Sequence, residues 1–99
     1  MSLAATTQRV QQLAGGTDSL GATIKFAFES GAIYLDGTGP TGNLISNEDK
    51  EAQCTVHISQ ADFEALLSGE LNPMEAMIGG KMRIEGDMGV ALRLGGLFG

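Results

Sequence analysis

Between residues 52 and 85 the spacing of apolar residues changes from two to about 3.6 and back to two, so this short span must contain both strand and helix. In 52–58, Cys54, Val56 and Ile58 fall on one side and Gln53, Thr55 and His57 on the other, the pattern of a half-buried strand. Ser59 then offers a helix N-cap, with Asp62 at the third position, where an acid favours the positive end of the helix. Phe63, Leu66 and Leu67 make one apolar helical face, and Gly69 loosens its end. Asn72-Pro73-Met74-Glu75 starts a second helix: a cap, a proline at the first position and an acid at the third. That helix carries Met74, Met77 and Ile78 and stops at Gly79-Gly80. Residues 81–85 alternate once more, with Met82 and Ile84 opposed to Lys81, Arg83 and Glu85.

Upstream, residues 3–14 read as a short helix with Leu3, Val10, Leu13 and Ala14 as a partial stripe, stopped by Gly15-Gly16. From Ala22 the period is two: Ile24, Phe26 and Phe28 share a face, Ser30-Gly31 turns, and Ile33 and Leu35 alternate with Tyr34 and Asp36. This is an antiparallel hairpin. Residues 37–43 form a loop, Leu44 and Ile45 a short strand, and Ser46 to Glu51 a polar, acidic turn. Gly86-Asp87 turns the chain again, and Asp87 can cap a last helix. In that helix Met88, Val90, Ala91, Leu92, Leu94 and Leu97 are relieved by a single charge, Arg93. A helix apolar round most of its circumference needs cover on its outer side, from a ligand, a partner chain or a membrane. The order α-β-β-(β)-β-α-α-β-α implies an α+β fold, a mainly antiparallel sheet with helices on one face.

Ninety-nine residues fit one domain, 1–99. A net charge of −6, with six Lys and Arg spread along the chain, argues against nucleic acid, which demands a basic footprint. The same charge disfavours anionic membranes, and no stretch approaches the ~18 apolar residues of a membrane span, so stable membrane insertion is not expected. Met1 to Ala5 lacks the basic leader and apolar run of a signal peptide, and Leu97-Phe98-Gly99 is not a peroxisomal address, so a cytoplasmic location is expected. One cysteine, Cys54, allows neither an internal disulfide nor a Cys-rich zinc site, and its strand context predicts a semi-buried thiol.

The motifs that could carry chemistry are weak. Gly37-Thr38-Gly39-Pro40-Thr41-Gly42 matches the dinucleotide fingerprint in letters, but no helix opens after it and Pro40 removes an N–H. His57 has neither a G-x-S-x-G serine nor a second His beside it, so neither a triad nor zinc is expected. Glu48, Asp49 and Glu51 lack calcium-loop spacing and read as a solvated loop. Lys81 and Arg83 read as solubilising charges. No catalytic residue, metal or cofactor is expected.

From Ala52 onward the chain resembles the sterol carrier protein type 2 family. The resemblance lies in Ala52-Gln53-Cys54-Thr55-Val56, in the run from Asp62 to Pro73, and in Gly80-Lys81-Met82-Arg83-Ile84-Glu85-Gly86-Asp87 with Ala91 and Leu94 beyond it. It covers about residues 52–94, with the hairpin at 22–36 fitting in order and spacing. Tyr34 stands where many members have Trp, and Met77 where an aromatic residue commonly follows the Ala. The resemblance implies a five-stranded sheet with helices over one face enclosing an apolar tunnel. It also implies non-catalytic binding or transfer of an apolar lipid: a fatty acid, acyl-CoA, phospholipid or sterol. By periodicity alone Met74, Met77, Ile78, Met82, Met88 and Leu92 are an ordinary closed core; the resemblance makes them candidates to line the cavity. Two alternatives stand beside this reading. One is an interaction domain that forms a homodimer through residues 88–98; the other is an accessory module of a lipid-metabolising enzyme.

Overall fold

Strands whose side chains alternate apolar and polar pair so that the apolar sides coincide, and this decides which face of the sheet the helices cover. The computed structural model describes residues 2–14, 19–40 and 42–98, the last five as backbone. In chain order the described residues form α1 (Leu3–Ala14), β1 (Thr23–Phe28), β2 (Gly31–Asp36), β3 (Leu44–Ser46), β4 (Cys54–Ile58), α2 (Gln60–Ser68), α3 (Pro73–Ile78), β5 (Met82–Gly86) and α4 (Met88–Phe98). The strands make one sheet in the order β3-β2-β1-β4-β5. Its pairs are antiparallel except β1 with β4, which is parallel. Phe26 lies opposite Ile33 and Val56, Ile24 opposite Leu35 and Cys54, and Val56 opposite Ile84. These residues share one face, where Val10, Ala14, Phe63, Ala76 and Val90 of the helices join them in the core.

The parallel pair requires the chain to leave one edge of the sheet and return beyond β1. Asn47 still bonds Thr7 of α1, and residues 48–53 then make that crossing on the face away from the helices. Lys25 and Tyr34, paired across β1 and β2, receive it there. The Lys25 ammonium is 2.9 Å from the Asp49 carboxylate, and the Tyr34 hydroxyl donates to the Glu51 carbonyl at 3.4 Å. Lys50 lies 5.2 Å above the Tyr34 ring. What reads in sequence as an acidic turn is thus a strap, and Tyr34 is buried beneath it although it points to the open side of the sheet.

Two local expectations, the inner face of α1 and the burial of Cys54, need correction. The buried side of α1 is Thr6, Thr7, Val10 and Ala14, with Leu13 exposed and Leu3 partly buried against the core. The threonines are accommodated because their hydroxyls are used: Thr7 donates to the Leu3 carbonyl at 2.7 Å, and Thr6 to Glu64 at 2.6 Å. The proposed stop at Gly15-Gly16 lies outside the described residues. Cys54 is fully rather than half buried, because it faces the core beside Val56 from β4, a strand flanked on both sides by β1 and β5. Three N–H groups of the glycine-rich loop bond within the protein, as expected of a plain loop: Gly37 N–H to Ala22, Thr38 N–H to Asp36 and Gly42 N–H to Ser19. Its Gly37 is required by packing, since a Cβ there would stand 2.7 Å from the side chains of both Leu20 and Asn43.

Candidate functional site

A helix that fills its share of a core needs large side chains along its inner face. α3 presents Ala76 there, fully buried, so it sits close to β5 and leaves space beside it. Between the sheet and α2, α3 and α4 lies a cavity of about 620 Å³. Phe26, Val56, Met82 and Ile84 form its sheet side; Phe63 and Leu66 come from α2, Leu71 from the following turn, Met74 and Met77 from α3, and Met88, Ala91 and Leu92 from α4. Phe63 closes the inner part, its ring 4.7 Å from Phe26 and 5.1 Å from Phe28.

The capping signals read from sequence are the devices that set these walls. Ser59 accepts the Asp62 N–H at 3.1 Å and starts α2 directly from β4. Gly69, left-handed at φ 79°, ends α2 and turns the chain across the cavity mouth. Asn72 accepts the Met74 N–H at 2.8 Å and begins α3, and Asp87 accepts the Gly89 N–H at 2.8 Å and begins α4. Among the described residues no lining side chain is ionisable; the polar Asn72 already uses its side-chain oxygen as the α3 cap.

Of the residues singled out in sequence, Met74, Met77, Met82, Met88 and Leu92 line this one cavity. Ile78 does not: it is 81% exposed and absent from the lining. Two residues beyond Ala76, it stands about 160° round the helix from the core contact. Met74 stands as far round and is 68% exposed, yet it belongs to the lining. Phe26, Val56, Phe63, Leu66, Leu71, Ile84 and Ala91 line the cavity without having been expected there. Their signal was present as apolar periodicity, which marks a covered face without distinguishing solid core from cavity wall. Leu94 and Leu97, on which the dimer reading leaned, have no described side chains.

The groups suited to acid–base or nucleophilic work stand elsewhere. His57 lies on the open face, its Nε2 2.7 Å from Glu85, which Arg83 also holds at 2.9 Å. The Cys54 thiol is in the core; burial, and then the negative charge of Asp87, push its pKa up and keep it neutral. Among the described residues no three His, Cys, Asp or Glu side chains gather as metal ligands, and no helix is long and apolar enough to cross a membrane.

The SCP-2 sterol transfer family matches this chain over residues 3–99. The chain belongs to that family. Sterol carrier protein 2 of Homo sapiens is 43% identical over 60 residues, a match that takes in 61% of this chain and 11% of the human protein. Hydroxysteroid dehydrogenase-like protein 2 of Xenopus tropicalis is 35% identical over 72 residues, 72% of this chain and 17% of that protein. The chain therefore spans a small part of the curated relatives it matches. Among solved structures, the sterol carrier protein domain 2 of Helicoverpa armigera superposes with a TM-score of 0.74 at 23% identity, covering 95% of this chain and 82% of that one. The apo form of sterol carrier protein 2 from Yarrowia lipolytica gives 0.69 at 19% identity, covering 94% and 73%. The fold is that of the SCP-2 family, a five-stranded, mostly antiparallel sheet with one parallel pair and helices.

Proposed function

We propose that residues 1–99 act as one lipid-binding unit that holds an apolar chain in the cavity under α2, α3 and α4 and does no chemistry on it. The observation that carries this reading is an apolar space of about 620 Å³ next to the core of an SCP-2 family fold, lined by no ionisable side chain among the described residues. Pockets of ~300–1,000 Å³ suit small apolar ligands. With no cation among the described lining residues, a carboxylate or phosphate there would lose its hydration without gaining a partner, which is costly. The charged end of a fatty acid, acyl-CoA or phospholipid therefore stays in water at the mouth and the chain goes inside. Burial of the chain dominates: each methylene contributes about 0.8 kcal/mol, against ~0–1 kcal/mol for an exposed ion pair at the rim. The placement of His57 across the sheet and of Cys54 in the core supports binding without turnover.

Organic extraction of protein purified under native conditions, followed by mass spectrometry, tests this reading. A lipid stoichiometric with the protein is the expected result. An empty extract, together with no uptake of a fluorescent fatty acid by the purified chain, would defeat it.

A further inference from the structure

The four methionines among the described residues, Met74, Met77, Met82 and Met88, all line this one cavity. They are not equally accessible. Met74 is 68%, Met88 51% and Met77 42% exposed, whereas Met82 on β5 is 8% exposed. Three methionines thus line the cavity while remaining open to solvent. Leucine would serve there as packing; a thioether adds adaptability and one reaction that aliphatic residues lack.

Resting on the lipid-binding reading, we infer that Met74, Met77 and Met88 form an oxidation site at which a peroxide controls occupancy of the cavity. The sulfur lone pair of each attacks one oxygen of hydrogen peroxide; the O–O bond breaks as the S–O bond forms, and the proton on the transferred oxygen passes to the departing hydroxide, which leaves as water. Sulfur loses two electrons and the peroxide gains them. The product, a sulfoxide, is a strong hydrogen-bond acceptor in place of an apolar contact. A chain threading the mouth must then either desolvate that oxygen without a partner or be held by a ring of side chains turned away from it. Either route weakens binding, by roughly tenfold or more for the set. Cys54, the thiol among the described residues, is fully buried and kept protonated, so it is a poor competitor for peroxide.

The test uses the full chain, hydrogen peroxide and an anthroyl-labelled stearate as probe. Peptide mass mapping should show one oxygen gained at Met74, Met77 and Met88 well before Met82. Probe affinity should fall at least tenfold in step with those three, and a mixture of the two methionine sulfoxide reductases should restore it. Prior loading with stearate should slow oxidation of Met77 and Met88. The M74L/M77L/M88L variant, compared with itself before and after peroxide, should not change affinity, whatever its starting value. Affinity that survives full oxidation of the three, or that falls equally in the triple variant, overturns the inference. If the reduced protein takes up no probe at all, the binding reading itself has failed, and the order of oxidation remains measurable on its own.

Discussion

Two residues show how little freedom single positions have in this fold. Gly86 ends β5 with φ +99° opposite Cys54, and a Cβ there would run into the Gln53 carbonyl oxygen, which is backbone and cannot swing aside. Gly86→Ala therefore adds left-handed strain to a backbone clash, and urea denaturation should show a loss of about 3 kcal/mol. Unchanged stability would mean that β4 and β5 do not meet as described. Cys54 acts through protons. Its native pKa is raised, so between the ordinary thiol pKa and the native value the folded form binds more protons than the unfolded one. Stability is then untouched below the ordinary thiol range and falls as pH rises above it. Cys54→Ala should flatten that alkaline slope, read from urea midpoints across the alkaline range; an identical slope in the variant would show that the thiol is not the group responsible.

At the scale of elements, α3 is the most vulnerable wall of the cavity. A helix of six residues does not persist on its own and relies on its cap and on the burial of Ala76. Asn72→Ala should cost about 1 kcal/mol and speed amide exchange across residues 73–80 more than elsewhere. Exchange rising evenly over the whole chain would argue that α3 is not a separate opening unit. Phe63 on α2 is both core and cavity wall, so Phe63→Ala should destabilise by about 3–5 kcal/mol. These elements were legible in the sequence because their signals are local. Ser59, Asn72-Pro73 and Asp87 each sit at the start of a helix, and the alternation of Ile24 with Phe26 and of Cys54 with Val56 marks the covered face. The inner face of α1 was less legible, since Thr6 and Thr7 are buried through hydrogen bonds that polarity alone does not announce.

At the scale of the whole molecule, the strand order depends on a segment with almost no apolar signal. Residues 48–53 carry the chain from β3 to β4 across the open face, and this crossing is what makes β1 and β4 parallel. Nothing in Asn47-Glu48-Asp49-Lys50-Glu51 marks a crossing, because the strap is held through Tyr34 and Lys25, residues far away in the chain. Magnitudes separate the two anchors. Tyr34 is buried and Tyr34→Ala should cost about 3 kcal/mol, whereas Asp49 is exposed and Asp49→Ala should stay within about 0.5 kcal/mol by thermal or urea unfolding. The reverse ranking would show that charge rather than ring burial holds the strap. The cavity was legible as a set of apolar residues from three elements but not as a space. Periodicity says which side chains face inward, and only their volumes and the small Ala76 beneath α3 decide whether they meet.

The central claim is that the interior is completed by a hydrocarbon chain, and a series of saturated fatty acids of increasing length tests it most directly. Titrated by calorimetry against the purified chain, affinity should rise about fourfold per added methylene, the equivalent of about 0.8 kcal/mol, until the cavity is full, and then level off. Affinity that ignores chain length, or no binding at any length, would contradict the account.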